Sequence, residues 1–508
     1  MHKKIMYMLL SASVVSSFWL SADDHSHNVA PVAVQQPYTI NSPHGDRQDP
    51  YYWLRDDSRT SPTVLDYLHR ENDYFTAYAD AYQPLTEKLT DEIIGRIKQD
   101  DSSVPYTRGD YSYYSRYETG KEYPIYARKS LKDGTEQIML DVNKLAAGKD
   151  YYRVANWQVS PDQNLLAYLE DSSGRRQYTL KVRDLRTGQN VPDELTGLSG
   201  SLAWAADNQT LYVVQNDPVT LLSTTVLQHK LGNKATAAKA VYQEPDNSFY
   251  LSLANSRDDK YVVIKSESTV STEIRVQPGN QPQTEFKVLA PRQRDFQYDA
   301  EHYQGRWILK TDWQAPNFRL MSVAADKIGD RDQWQPLLAH DEQVFIEDFI
   351  AFDNYLAISE RSDGLRRIRI MPWQAPDKAF YVASDEPAYV TRFEKNPEQN
   401  TDWLRYSYTS LTTPETVYKL NMKTGDKQLL KQTEVLGEFE QSNYVTERVW
   451  ATAADGVKVP VSLLYRKGLA LDGTAPLYQY AYGSYGSSSD PSFRSTVFSL
   501  VDRGFVYA

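Results

Sequence analysis

The sequence predicts a mainly β fold that is built around a seven-bladed β-propeller, because one pattern recurs along most of its length. Each repeat is a short polar turn followed by a burst of strand-forming residues. The turns lie at positions 110, 162, 207, 258, 305, 353 and 400. A period of about 40–50 residues with several short strands per unit is typical of propeller blades. The region lacks helical periodicity, which disfavours a solenoid, and another all-β architecture with evenly spaced turns remains the alternative.

Two helices are predicted before the repeats. Residues 61–62 are Ser-Pro, a good helix opening, because serine can cap a helix and proline is tolerated at the first helical position. Apolar side chains recur at three- and four-residue spacing over 64–82 and again over 85–97. Such amphipathic helices need a partner surface. We assign 23–100 to a leader and helical segment, and 101–435 to the propeller.

Residues 1–22 are predicted to be a secretory signal peptide. Two lysines precede an apolar stretch over 5–20, and Ser21-Ala22 forms a small-residue exit. The alternative is a membrane anchor, but the stretch is shorter than the about 18 residues that a spanning helix needs. We therefore expect a periplasmic or secreted protein without a stable membrane anchor. The chain contains no cysteine, so it forms no disulfide and carries no lipoprotein attachment site.

Charge and composition exclude several classes of partner. The net charge of −11 argues against nucleic-acid binding, which requires clustered Lys and Arg. His25 and His27 are separated by one residue, but two ligands in a flexible leader are fewer than the three or four that metal sites use. These two histidines therefore do not predict a metal site.

The character of the sequence changes after the repeats. Strands over 445–453 and 457–465 flank an Asp-Gly turn, which is a strong hairpin signal. A strand over 477–482 then enters a Gly/Tyr-rich turn, and another strand begins at 505. This order of elements is how the sheet of an α/β-hydrolase begins. The predicted fold is thus a propeller inserted in an α/β-hydrolase domain, of which only the N-terminal helices and first strands are present.

Three segments, together with the sevenfold repeat, resemble the prolyl oligopeptidase family, and most closely its oligopeptidase B branch. They are Asp49–Asp57 (DPYYWLRDD), Tyr482–Gly486 (YGSYG) and Leu500–Ala508 (LVDRGFVYA). The resemblance implies a serine peptidase whose propeller caps the active site and admits only short peptides. The oligopeptidase B branch implies cleavage after Arg or Lys, hence basic substrates, and the alternative branch implies cleavage after proline.

The resemblance also implies a Ser-Asp-His triad with the serine in a G-x-S-x-G elbow. The sequence contains no such elbow, and none of its histidines follows His340. We therefore expect 436–508 to be the incomplete start of the catalytic domain, the triad to lie beyond residue 508, and the fragment itself to be inactive. The competing hypothesis is a non-catalytic propeller that binds peptides.

One site residue follows from the resemblance. Tyr482 matches the family tyrosine whose hydroxyl donates to the developing oxyanion, although Ala481 stands where the family usually has glycine. The alternative is that Tyr482 is a packed aromatic at the end of a strand. Ser484 is rejected as a nucleophile, because its motif lacks the first glycine and no histidine follows it. His44 and the pair Asp56-Asp57 are interpreted as turn and pre-helix residues, not as catalytic groups.

Overall fold

A computed structural model describes residues 29–508 of the chain. The predicted signal peptide and the pair His25 and His27 lie outside the described residues. The described residues divide into two compact units, 29–94 and 95–508. Within residues 29–508, none of the helices has both the length and the apolar character that crossing a bilayer requires.

The first unit contains a short hairpin and two helices, as its sequence pattern indicates. Its elements are β1 (Thr39–Ile40), β2 (Arg47–Gln48), a 3₁₀ turn (Tyr52–Leu54), α1 (Pro62–Ala79), a second 3₁₀ turn (Asp80–Tyr82) and α2 (Gln83–Gly95). The predicted proline does open α1, but the prediction that Ser61 caps the helix is wrong, because its side chain makes no cap hydrogen bond. The carboxylate of Asp56 instead accepts hydrogen bonds from the backbone N–H groups of Thr60 (2.7 Å) and Ser61 (2.6 Å). Asp56 therefore organises the turn before the helix, as predicted.

The second unit contains seven antiparallel blades among the described residues. Blade 1 consists of β3 (Tyr106–Arg108), β4 (Tyr111–Arg116), β5 (Ile125–Ser130) and β6 (Glu136–Asp141), followed by α3 (Val142–Ala146). Blades 2 and 3 consist of β7 (Arg153–Val159), β8 (Leu165–Asp171), β9 (Tyr178–Asp184), β10 (Asn190–Trp204), β11 (Thr210–Asn216), β12 (Ser223–Lys230) and β13 (Lys239–Gln243). Blade 4 consists of β14 (Tyr250–Asn255), β15 (Tyr261–Glu267), β16 (Thr272–Pro278) and β17 (Lys287–Val288).

The remaining blades follow the same meander. Blade 5 consists of β18 (Tyr298–Tyr303), β19 (Arg306–Thr311), β20 (Arg319–Ala324) and β21 (Gln335–Leu338). Blade 6 consists of β22 (Phe345–Ala351), β23 (Tyr355–Ser362), β24 (Leu365–Pro372) and β25 (Phe380–Tyr381). Blade 7 consists of β26 (Tyr389–Phe393), β27 (Trp403–Ser410), β28 (Thr416–Asn421) and β29 (Lys427–Gln432).

The seven polar turns found in the sequence all lie between the first and second strands of a blade. The predicted propeller is therefore confirmed, and the polar turn of each repeat occupies the same structural position in every blade. One feature differs from a set of separate blades: β10 pairs with β9 and also with β11, so blades 2 and 3 form one seven-stranded sheet. The register of β10 shifts around Leu198, beside Gly197, whose φ of 71° is strained for other residues.

The blades are held together by apolar side chains that meet between neighbouring sheets. Buried clusters combine residues of blades 1 and 2, 3 and 4, 4 and 5, 5 and 6, and 6 and 7. The contacts from blade 7 to the segment that leads into blade 1 are different in kind. Arg405 donates to the carbonyl of Pro105 (2.8 Å), and the ammonium of Lys431 pairs with Asp101 (2.6 Å). The ring thus closes through polar contacts at this junction.

A four-stranded mixed sheet follows the propeller. Its elements are β30 (Tyr444–Thr452), β31 (Lys458–Arg466), β32 (Leu477–Tyr478), α4 (Phe498–Val501) and β33 (Val506–Tyr507). The predicted hairpin is confirmed, since β30 and β31 pair over their whole length. The two later strands are shorter than predicted, but β32 and β33 pair in parallel. Parallel pairing after a hairpin is what the start of an α/β sheet requires.

A buried acidic group, Glu244, directly follows β13 and contacts Ser266 of blade 4, and it provides a test by pH. Glu244 accepts hydrogen bonds from both terminal nitrogens of Arg292, at 2.9 and 2.6 Å. Burial raises the pKa of Glu244, but the hydrogen bonds from Arg292 and Ser266 outweigh it and hold the pKa at about 2. Because this pKa is below the value of about 4.3 in an unfolded chain, Glu244 stabilises the fold above that pH and loses the contribution as the pH falls towards 2.

We expect Glu244→Gln to lower the free energy of unfolding at pH 7 and to flatten its dependence on pH between about 4.5 and 2. Urea unfolding at pH 7 and pH 3 measures both effects. The control is Glu285→Gln, an exposed carboxylate of blade 4, which should leave the difference between the two pH values unchanged. A Glu244→Gln variant with the wild-type pH dependence would contradict the assignment.

Candidate functional site

The functional site predicted from the sequence lies in the loop that follows β32. Tyr482 is half-exposed (51%), and its backbone N–H donates to Oγ of Ser489 at 3.0 Å. Residues Ser484–Gly486 form a 3₁₀ turn in which Tyr485 has a φ of 58°. This left-handed conformation is unfavourable for a bulky residue and costs of order 1–3 kcal/mol. Contacts elsewhere in the loop must therefore hold its shape.

Asp490 is the main anchor of this loop, and no sequence motif singles it out. Its side chain is only 7% exposed, and its two carboxylate oxygens pair with Arg361 (2.8 Å) and Arg392 (2.7 Å). Arg361 lies on β23 and Arg392 on β26, so one carboxylate joins the loop to blades 6 and 7. Burial by itself lowers the pKa of the Arg361 guanidinium. The carboxylates of Asp490 and Glu347 outweigh this effect and raise the pKa above its ordinary value, so the guanidinium stays charged.

Further contacts place the loop and its sheet against one end of the propeller. The N–H of Phe493 donates to Oγ1 of Thr409 at 3.0 Å, and the amide of Gln441 donates to Oγ1 of Thr413 at 2.9 Å. At Gly364 the two parts approach so closely that a Cβ atom would lie 2.9 Å from Pro460. A side chain at Gly364 would therefore push β31 away, and this turn requires glycine.

A cluster of aromatic side chains supports the loop of Tyr482. The ring of Phe498 is fully buried and lies 4.9 Å from Phe439, 4.8 Å from Tyr444 and 5.2 Å from Phe493, measured between centroids. The pairs with Phe439 and Tyr444 are edge-to-face, and such pairs stabilise beyond their buried area. The segments before and after the propeller also run side by side, since Ile97 bridges to Val435 and the ammonium of Lys98 lies 2.8 Å from Glu434. The propeller is therefore inserted between two adjacent segments.

Two buried histidine–carboxylate pairs lie in the propeller, and no sequence motif indicates them. Nε2 of His229 lies 2.8 Å from Asp193, and Nδ1 of His302 lies 2.7 Å from Asp258. The pairs bring together residues 36 and 44 positions apart, so sequence spacing carries no signal for them. Both imidazoles are at most 3% exposed. A substrate cannot reach them, and we assign them to the packing of the blades.

No arrangement for metal or triad chemistry is present in residues 29–508. Three or more His, Cys, Asp or Glu side chains that could share a metal ion are not found there. Ser484 lies on the 3₁₀ turn beside Tyr482, and no described hydrogen bond links it to a histidine. Of the residues predicted for catalysis, the described structure therefore contains Tyr482 alone, on a loop that is fixed to blades 6 and 7.

Comparison with known proteins identifies the family. The profile of the prolyl oligopeptidase N-terminal beta-propeller domain matches residues 31–433. The chain belongs to the prolyl oligopeptidase family. Dipeptidyl aminopeptidase BI from Pseudoxanthomonas mexicana is 46% identical over 522 aligned positions, which cover 99% of this chain and 71% of that protein. Protease 2 from Moraxella lacunata is 32% identical over 94% of this chain and 69% of that protein.

Solved structures of the same family agree with this assignment. Oligopeptidase B from Leishmania major superimposes with a TM-score of 0.88 at 29% identity, over 94% of this chain and 71% of that chain. The resemblance predicted from the sequence motifs is therefore confirmed at the level of the prolyl oligopeptidase family and its propeller fold. By their names these relatives are peptidases, and the structure of oligopeptidase B shares the fold of this chain over the aligned residues.

Proposed function

We propose that this chain forms the larger part of a serine oligopeptidase that hydrolyses short peptides after Arg or Lys. The observation that carries the proposal is the loop of Tyr482, which leaves the parallel pair β32 and β33 and is fixed to the propeller through Asp490. The likeness to Protease 2 and to oligopeptidase B supports the preference for basic residues. No metal or organic cofactor takes part in this proposal.

In the proposed reaction, Tyr482 donates its hydroxyl hydrogen to the oxygen of the scissile carbonyl as that oxygen becomes negative. A fixed donor at this position stabilises the transition state more than the ground state, which is the origin of its catalytic effect. The second donor is a backbone N–H next to the nucleophilic serine. We propose that this serine and its Asp and His partners are encoded after residue 508, so that residues 1–508 alone do not hydrolyse peptides.

A second candidate is release of dipeptides from the amino end of a peptide. The 46% identity to dipeptidyl aminopeptidase BI favours it, because that likeness extends over 99% of this chain. Two other hypotheses remain: a proline-specific peptidase of the same fold, and a propeller that only binds peptides. We also propose export to the periplasm or medium, on the basis of the predicted signal peptide.

The deciding experiment reads the gene past codon 508 and assays the product of the complete reading frame on three fluorogenic peptides. An amino-blocked peptide ending in Arg tests the oligopeptidase, a dipeptide with a free amino group tests the dipeptidyl aminopeptidase, and a Gly-Pro peptide tests the proline-specific branch. Hydrolysis of the blocked Arg peptide supports the first proposal. Hydrolysis by purified 1–508 would contradict a triad beyond residue 508, and a stop codon at 509 would favour the binding protein.

A further inference from the structure

The far end of the propeller, away from the C-terminal sheet, is crossed by a long loop. Residues 394–402 separate β26 from β27, whereas at most five residues separate the first two strands of each other blade. The loop reaches blades on the other side of the ring. Arg257 of blade 4 donates to the carbonyls of Asn396 (3.2 Å) and Glu398 (3.1 Å), and Gln399 donates to the carbonyl of His302 (3.2 Å) in blade 5.

An ion pair crosses the same end of the ring. One guanidinium nitrogen of Arg108, in the first turn of blade 1, lies 2.7 and 2.8 Å from the two carboxylate oxygens of Asp259 in blade 4. Blades 1 and 4 are three steps apart in a ring of seven, so this pair spans the central channel. The loop and the ion pair together obstruct the channel at this end, while the other end carries the sheet with Tyr482.

Two cavities lie beneath this obstruction and share part of their walls. The larger has a volume of about 720 Å³ and the smaller about 540 Å³. Their common lining is aromatic except for one cation: Tyr106, Tyr126, Trp157 and Lys395. A volume of this size suits several residues of an extended peptide, since small-molecule sites occupy about 300–1,000 Å³.

Lys395 is the cation of the larger cavity that has no carboxylate partner. Its ammonium lies 4.7 Å from the ring centre of Tyr106 and 5.8 Å from that of Trp157. The other two cations of this cavity are paired, Arg108 with Asp259 and Arg257 with Glu301 at 2.6 Å, but no described residue forms an ion pair with Lys395. The pKa of Lys395 is lowered, and burial by the surrounding cavity walls is the largest cause. The residue nevertheless remains accessible to solvent.

The smaller cavity is less suited to an anion. Its lining includes Glu394 and Glu415, and burial together with the charge of Glu415 raises the pKa of Glu394. In the larger cavity the acidic residues are Asp259, which is paired with Arg108, and Glu398, which is exposed to solvent. The field at the aromatic wall of the larger cavity therefore favours a negative group beside Lys395.

Amide side chains complete the wall of the larger cavity. The side-chain nitrogens of Asn156, Gln158 and Asn255 donate to carbonyls of β10, at 3.3, 3.1 and 2.8 Å. This leaves the side-chain oxygens, to which no described group donates, as acceptors for the N–H groups of a bound peptide. The cavity thus offers both a cation for a terminus and acceptors for a backbone.

We propose that the larger cavity binds the carboxylate of a peptide through Lys395, so that the peptide lies with this group at the obstructed end of the channel. The proposal rests on the proposed action on peptides and adds a direction to it. A peptide that enters from the end near Tyr482 presents one terminus to Lys395, which repels an ammonium group and attracts a carboxylate. The ligand carboxylate can be the carboxyl terminus or an acidic side chain near it.

Calorimetric titration of the protein comprising residues 1–508 with three peptides tests this inference. The first is N-acetyl-tetra-alanine with a free carboxyl terminus, the second is its carboxyl amide, and the third is the amide with glutamate as its last residue. We expect the acid to bind about tenfold more tightly than the first amide, as for a hydrogen bond to a charged group. Recovery of affinity by the glutamate peptide would assign the site to any carboxylate, and no recovery would assign it to the terminus.

Lys395→Met should remove the preference for the acid and leave binding of the amide unchanged. The matched control is Lys419→Met, since Lys419 also stacks on an aromatic ring in blade 7, 4.7 Å from Trp403, but does not line the larger cavity. Equal affinity of wild-type chain for acid and amide would overturn the proposal even if the Lys395 variant failed to fold. This experiment measures binding, whereas the proposed function is tested by hydrolysis. Failure of the carboxylate preference is therefore distinguishable from failure of the proposed peptidase activity.

Discussion

Replacing Tyr482 by phenylalanine is expected to lower kcat of the product of the complete reading frame by about 10²–10³, with little change in KM. The substitution removes one hydroxyl and keeps the ring, so binding of the substrate in its ground state should persist. A donor that acts only on the developing oxyanion contributes to kcat and not to uniform binding. Steady-state kinetics on the best of the three fluorogenic peptides measures both parameters.

The matched control for this experiment is Tyr485→Phe. Tyr485 lies in the same turn and is 85% exposed, and its hydroxyl has no described hydrogen-bond partner. We expect its kcat to stay within a factor of about two, in line with exposed substitutions away from special features. Equal kinetics of Tyr482→Phe and wild type would show that Tyr482 is the packed strand-end aromatic of the alternative hypothesis.

Phe498→Ala is expected to cost about 3–5 kcal/mol of the free energy of unfolding, the typical value for a buried Phe→Ala substitution. Phe498 is fully buried at the centre of the ring cluster with Phe439, Tyr444 and Phe493. Its loss leaves a cavity beneath the loop of Tyr482, and the loop and β33 should open together. Urea unfolding gives the free energy, and hydrogen exchange of residues 495–508 shows where protection is lost.

Leu471→Ala serves as the control for stability, because Leu471 lies in the same C-terminal region and is 56% exposed. We expect it to change the free energy of unfolding by less than about 0.5 kcal/mol. If Phe498→Ala were equally mild, the ring cluster would not be what supports the loop of Tyr482.

The sequence predicts the propeller well because its blades repeat one local rule. A polar turn must separate the first two strands of every blade, so the turn recurs wherever a blade begins, and composition reveals it at each of the seven positions. The hairpin of β30 and β31 is equally local, since an Asp-Gly turn sets its register. The start of α1 shows the limit of local rules: Ser61 is a suitable capping residue, but its side chain makes no cap hydrogen bond, and Asp56 instead binds the N–H of Ser61 from five positions earlier.

The groups that fix the candidate site could not be predicted in this way, because they come from distant parts of the chain. Asp490 is paired with Arg361 and Arg392, which are 129 and 98 positions away. Arg108 is paired with Asp259 across 151 positions. A charged residue in a turn is ordinarily solvated, and only the fold decides which of these charges are buried against a partner.

The sequence by itself therefore determined the family, the repeat, the order of the segments and the motif of Tyr482, since each is encoded by residues that lie close together along the chain. The tertiary structure alone decided that blades 2 and 3 share β10, that Asp490 joins the loop of Tyr482 to blades 6 and 7, and that Lys395 faces a cavity at an obstructed channel end. These features depend on closure of the ring, which brings side chains together from parts of the propeller that the sequence separates by up to 330 residues.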